Sequence, residues 1–348
     1  MVHRSRSHYF CGSVRTTPLL FPPLIQFAML TGMENIVFSF FKNMSPLSPI
    51  LTNFYSQHHT HLWLVTHEPV LFCTILMISS RYHVLPGVGG ASRSFFIHHR
   101  LWQHCQSLIM RVILGQEKSA KSNTRTVGTI EALLLMSEWH PRSLHFPPEN
   151  DGWDSDLVTN ASIGESAIAD NSSSSNRWLE DVIEPARRSD RMSWMLLGSA
   201  LTLAHELGIF DTEDRNGGTP DAESGILAEY NQLRRQRIRR LLYVYISQLA
   251  SRIGCMSLMP QNLNHAIAGA PWPPTSDCSG DEWPAFMESW MDLTKLAKSV
   301  NDVFIPSASF AKQQLHSGRY IGLLDHFRPL LKQWKEKHLE SRGMFYNF

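Results

Sequence analysis

Two segments set the terms for this chain: Ser193 to Phe210 (SWMLLGSALTLAHELGIF) and Arg234 to Pro260 (RRQRIRRLLYVYISQLASRIGCMSLMP). Apolar residues recur in both at three- and four-residue steps, the spacing that gathers side chains on one face of an α-helix. In the first, Met192, Met195, Leu196, Ser199, Leu203, Ala204 and Leu207 fill most of the circumference. That pattern predicts a central core helix, capped by Asp190 and closed by Gly208 in the left-handed conformation. Gly198 with Ala200 predicts close approach by a neighbouring helix. In the second segment Ile238, Leu241, Leu242, Tyr245, Leu249 and Ile253 share a face, and Gly254 is expected to end the helix.

The rest of the chain reads the same way. Pro69 stands where proline begins a helix, and Val70 to Ser79 continue as an apolar run. After a loop at Gly87, Gly89 and Gly90, the residues Phe95, Phe96, Leu101, Leu108, Ile109, Val112 and Ile113 repeat with helical period up to Gly115. Thr129 to Trp139 reads as a helix with Ile130, Leu133, Leu134 and Leu135 inward, stopped by Pro141. From Asp154 to Asn176 the composition turns to Ser, Asn and Asp and periodicity vanishes, which predicts a disordered loop. Asp211 to Gly225 reads as an acidic linker. The β-branched alternation of strands is absent, so the expected fold is all-α: a large array of packed antiparallel helices with one long disordered loop, 154–176.

Charge and cysteine usage narrow the function classes. Thirty-two basic against 31 acidic residues leave a formal charge of +1, so no global field draws the chain to nucleic acid or an anionic surface. Cys11, Cys73, Cys105, Cys255 and Cys278 are odd in number and scattered, which argues against a disulfide framework or zinc cluster and for an intracellular chain. The basic, apolar start imitates a secretory signal, but Pro22 and Pro23 interrupt it and no A-x-A-like site follows. No segment reaches the roughly 20 uninterrupted apolar residues of a membrane span.

Catalytic motifs fail at defined positions. His67-Glu68 and His205-Glu206 could open an HExxH helix, but Leu71 and Ile209 stand where the second histidine belongs. Gly87-Val-Gly89-Gly90-Ala-Ser92 lacks the strand-then-helix context of a dinucleotide loop. Seventeen histidines, with groups at His58, His59, His61 and His67 and at His98, His99 and His104, leave a metal site as the sharper reading and polar surface or satisfied core groups as the stronger one. The cluster Arg234, Arg235, Arg237, Arg239 and Arg240 reads either as a phosphate-contacting or import patch, or as the solvated start of a helix paired with Glu206, Glu223 or Glu229. Five cations at a helix N-terminus oppose the macrodipole and call for acidic neighbours. The structural reading is favoured.

Three stretches together resemble a known family. Trp194, Gly198, Ala200, Leu207 and Gly208 give an aromatic, a glycine-alanine step and a leucine-glycine terminus, in the order found in the middle homology region of fungal transcription factors. That region is the large helical domain that usually follows a Zn2Cys6 DNA-binding module. The arginine segment resembles its arginine-rich helix, with Leu241-Leu242 where a tryptophan pair is frequent, and Ile130 to Trp153 is most similar to the subgroup that includes activators of aromatic amino acid catabolism.

The resemblance implies a non-enzymatic regulatory domain of an RNA polymerase II transcription factor over residues 44–348, with 1–43 unassigned and the C-terminal end expected to be incomplete. It implies action in the nucleus on amino acid catabolism genes. Zinc is expected only in an N-terminal module missing from these residues, and DNA contact only through such a module or a partner. Protein partners or a second copy, and a small-molecule effector, are the expected company, with no membrane. Trp139, His140, Trp153 and the five arginines are the candidate regulatory or interaction surface. The competing readings are a helical metal-dependent hydrolase built on the histidine clusters and an interaction module without DNA binding of its own.

Overall fold

The computed structural model describes residues 33–84, 87–117, 123–146, 182–211, 222–260, 262–263, 267, 283–304 and 308–340. Among these there are ten α-helices and no strand: α1 (Met33–Asn43), α2 (His61–His67), α3 (Pro69–Tyr82), α4 (Gly90–Ile113), α5 (Val127–Glu138), α6 (Glu184–Glu206), α7 (Ala222–Ile253), α8 (Trp283–Phe304), α9 (Ala308–Ser317) and α10 (Tyr320–Lys335). The all-α expectation holds. The predicted loop 154–176, and Trp153 with it, lies outside the described residues.

Three helices form the interior. Val70 through Ser80 of α3 and Gly128 through Met136 of α5 are buried without interruption. In α7, Ile238, Leu241, Leu242, Tyr243, Val244, Ile246, Leu249 and Ala250 are all buried, so the helix is enclosed on every side through this stretch. Around them, α1, α2 and α4 pack on α3, α6 packs on α5 and α7, and α8 packs on α7. Val37, Phe40 and Phe41 of α1 join the same core, which therefore begins ahead of residue 44.

The two segments that dominate the sequence exchange the parts their patterns suggest. The first, in α6, is a one-sided helix: Leu196, Leu197, Ala200, Leu203 and Ala204 face the core, while Met195 is 69% exposed and Thr202 and His205 face solvent. The second, read as one-faced, is the central rod. Unbranched apolar residues such as methionine mark helix and core alike, and only the neighbours decide which.

Helix ends follow local chemistry. Thr126 caps α5, its hydroxyl oxygen accepting from the Thr129 amide at 3.3 Å. At the end of α6, Gly208 has φ +61°, its N–H donates to the carbonyl of His205, and the Ile209 N–H reaches back to Ala204. This is the Schellman arrangement, which needs a residue at positive φ. Gly254 ends α7 at φ +69° in the same manner, with Cys255 N–H on Ala250 O.

Three local expectations are corrected. Asp190 is not the cap of α6; the helix starts at Glu184 with Pro185 in its first turn, and Asp190 lies inside it, paired to Arg252 at 2.5 Å. The expected linker to Gly225 is shortened by α7, which begins at Ala222. Among the described residues, a Cβ on Gly198 would meet only Leu258 Cδ1 at 3.5 Å, an ordinary contact, so none of the described helices approaches closely there.

Candidate functional site

The arginine cluster lies twelve residues inside α7, not at a helix N-terminus, so the macrodipole does not oppose it. Arg234 is buried, 2% exposed. Its Nε donates to Glu131 Oε1 at 2.7 Å, Nη2 donates to Glu131 Oε2 at 2.5 Å, and Nη1 donates to Glu68 Oε1 at 2.8 Å. The expected pairing of the cluster with Glu206, Glu223 or Glu229 gives way, for Arg234, to these two carboxylates 103 and 166 residues away. Glu68 immediately precedes α3, Glu131 is on α5 and Arg234 on α7, so a single guanidinium joins the three interior helices.

Burial works against every charge in this centre. It disfavours ionised Glu131 and raises its pKa, while the charge and hydrogen bonds of Arg234 hold it back. It also disfavours the Arg234 cation, but the pull of Glu131 and then Glu68 outweighs that and keeps the guanidinium's pKa well above the ordinary value. The Thr126 hydroxyl donates to the second oxygen of Glu68, and the Tyr55 ring lies 5.6 Å from the guanidinium carbon. Bidentate geometry with added hydrogen bonds is what lets such a cluster exist in a dry interior.

The other arginines hold backbone. Arg235 donates to Leu207 O at 2.7 Å, Arg239 to the carbonyls of Ile209 and Asp211, and Arg237 to Pro49 O at 2.9 Å and Leu51 O at 3.2 Å. Arg237 also covers the Trp283 ring at 4.0 Å. Arg240 is buried, and desolvation followed by the charge of Arg239 lowers its pKa. A buried Arg234 cannot serve as the surface it was expected to form.

His140 belongs to a different place. It lines a cavity of about 490 Å³ together with Leu144, His145, Val182, Pro185, Ala186 and Ser189, between the turn after α5 and the start of α6. His140 Nε2 lies 2.9 Å from Ser193 Oγ and 3.0 Å from Ser189 Oγ, and Ser193 Oγ is 3.2 Å from Ser137 O. Burial, then the charges of Arg81 and Arg252, push its pKa down to about 4. A serine beside so weak a base is not an activated nucleophile. Trp139 stays on the core side, edge-on to Tyr82 at 5.5 Å, and the structure does not bring it or His140 onto one surface with Arg234 to Arg240.

The histidine groups likewise find structural partners. His98 is buried; its Nδ1 donates to Met77 O at 2.9 Å and its Nε2 accepts from the Arg142 amide at 3.1 Å, leaving no nitrogen for a metal. His67 stacks on Trp63 at 5.0 Å. Among the described residues, no three His, Cys, Asp or Glu side chains converge in a metal-binding group, and no single helix is long and apolar enough to cross a membrane. Cys73 and Cys105 are buried, as expected for small apolar side chains.

Sequence reasoning passed over Glu131, Gly128 and Ser189, and weighed Glu68 only as part of an HExxH pattern. A glutamate among Gly128 to Met136, where every other residue is apolar or small, was a signal in plain view: an acid there must find a buried cation.

No protein-family model matches the chain, and no solved structure matches it. Over 322 residues it is 62% identical to the transcription factor hmgR of Aspergillus fumigatus, a match that takes in 91% of this chain and 43% of that protein. The chain thus spans less than half the length of this curated relative.

Proposed function

We propose that this chain is a helical regulatory domain of a fungal transcription factor, acting in the nucleus and controlling genes of amino acid catabolism. The observation that carries the reading is the 62% identity to a protein named as a transcription factor. The resemblance of the α6 and α7 segments to the middle homology region supports the domain assignment, and Ile130 to Trp153 supports the catabolic subgroup. In this reading the domain is not an enzyme, and sequence-specific DNA contact comes from a zinc-cluster module outside these residues or from a partner. A small molecule and other protein chains are its regulators. Exposed Ile321, Leu324 and Leu331 along one side of α10 support a protein partner or a second copy.

The test is a fusion of the chain to a heterologous DNA-binding module in a fungal reporter strain. Reporter output should change relative to the module alone, and should respond to aromatic amino acid supply. Output identical to the module alone, in every growth condition, overturns the proposal. In a gel-shift assay the chain alone should leave promoter DNA unretarded, and gain a shift only with a full-length relative.

A further inference from the structure

None of the 16 residues of α10 is buried, and Ile321, Leu324, Leu330 and Leu331 are exposed. Pro329 stands inside the helix, where it removes an N–H from the backbone ladder and crowds the preceding turn. A helix of this length is marginal in water without tertiary contacts, and this one carries a defect as well. Gly318, at φ +70°, separates it from α9.

The polar links described between this segment and the rest of the fold gather on one turn of α8, Glu288 to Asp292. Trp334 Nε1 donates to Ser289 O at 2.9 Å. Lys337, in the π-helical turn Glu336–Glu340, donates to Asp292 Oδ2 at 2.9 Å and pairs with Glu288 at 3.1 Å. His338 Nε2 lies 3.0 Å from the same Asp292 oxygen, and Lys295 of α8 donates to the other at 3.1 Å. Burial opposes the charge of Asp292, but the hydrogen bonds of Lys337, His338 and Lys295 outweigh it and lower its pKa to about 2. The grip is not complete: His338 is buried, and its Nδ1 has no hydrogen-bond partner among the described residues.

We propose that α10 and the turn Glu336–Glu340 form a latched arm, which unfolds and refolds as one unit while the core helices stay intact, with Asp292 as the latch acting through Lys337 and His338. Segments with little buried apolar area open at a small fraction of the global stability, whereas the enclosed stretches of α5 and α7 open only with the whole fold. Opening bares Trp334 and the Glu288 to Asp292 turn of α8, so one surface of the protein changes without disturbance of its interior. The inference does not depend on the transcriptional reading.

Hydrogen–deuterium exchange of the whole chain, read by mass spectrometry, tests it. Amides of residues 320–335 should exchange at least ~100-fold faster than those of residues 130–136 in α5. Asp292→Asn should speed residues 320–340 by a further ~10-fold and leave residues 130–136 and 241–250 unchanged. Lys337→Gln, at an exposed position, should speed the same segment ~3-fold, and Lys337→Arg should keep the parent rate because it keeps the charge. Pro329→Ala, which restores the missing N–H, should slow residues 320–335 alone. Exchange in α10 as slow as in α5 overturns the proposal. So does a response to Asp292→Asn and Lys337→Gln that is absent or spread evenly over the chain, a Lys337→Arg variant as fast as Lys337→Gln, or no slowing by Pro329→Ala.

Discussion

Gly128 and Glu68 compete for one space: a Cβ built on Gly128 would lie 2.5 Å from the carboxyl carbon of Glu68 and 3.0 Å from Nη2 of Arg234. No real Cβ sits that close to a carboxyl carbon. The glycine is what allows α5 to pass beside the carboxylate at the head of α3, and with it the meeting of Glu68 and Arg234.

Gly128→Ala should therefore destabilise the fold by ~3 kcal/mol, because overpacking and displacement of a buried charge together exceed the ~1 kcal/mol helix-propensity gain. Urea denaturation checks this. An alanine variant as stable as the parent would show that Glu68 moves aside without cost.

Gly198→Ala supplies the opposite outcome. Among the described residues its Cβ would meet only Leu258 Cδ1 at 3.5 Å, in mid-helix. Stability should rise by ~0.5–1 kcal/mol in the same measurement. A loss of more than about 1 kcal/mol would mean that α6 has a close neighbour at Gly198 after all.

Arg234→Met should cost ~3–5 kcal/mol, since it strands two buried carboxylates, and Arg234→Lys should recover little because an ammonium cannot grip both in the same fork. Adding Glu68→Gln and Glu131→Gln to Arg234→Met should restore most of the loss in thermal unfolding. Failure of the triple variant to recover would place the role of Arg234 in shape, not charge.

Glu138 gives the protein a pH signature. Burial raises its pKa from the ordinary 4.5 to about 7, although the Ser48 hydroxyl donates to one oxygen and the Tyr245 hydroxyl to the other. Because the folded pKa lies above the unfolded one, ionisation costs the folded state: the loss starts as pH rises past 4.5 and is complete near 7. His140 acts at the other end, its pKa pushed from 6.5 down to about 4, so that its contribution is lost as pH falls through that window. Glu138→Gln should show no gain relative to the parent below about pH 4, a gain that grows from about pH 5, and ~2 kcal/mol that persists above about pH 7. A gain independent of pH would assign the effect to packing.

The readable part of this fold was local. Pro69, Gly208 and Gly254 act on their own turns, so composition alone locates those helix ends, and Val70 to Ser79 or Ile130 to Met136 admit no environment but the interior. What stayed hidden depends on distant neighbours. Arg234 looks like any solvated cation until Glu68 and Glu131 arrive from far upstream. Met195 looks like core until α6 turns out to be flanked on one side only. Asp190, a fit cap in isolation, was taken into the helix because Pro185 already supplied a start. His140 was read together with Trp139 and Trp153, but the cavity it lines is made with Val182, Pro185, Ala186 and Ser189, on a segment that no periodicity connects to it.

The arginine row of α7 also fixes an order of events on the ribosome. Glu68, Glu131 and the carbonyls of Pro49 and Leu51 are all synthesised before their guanidinium partners. Until α7 emerges, α3 and α5 can collapse against each other only with two buried acids lacking their guanidinium partner. Long-range contacts of this kind are slow to close. The buried ion pairs of the N-terminal half are therefore completed only by a helix made well over a hundred residues after α3.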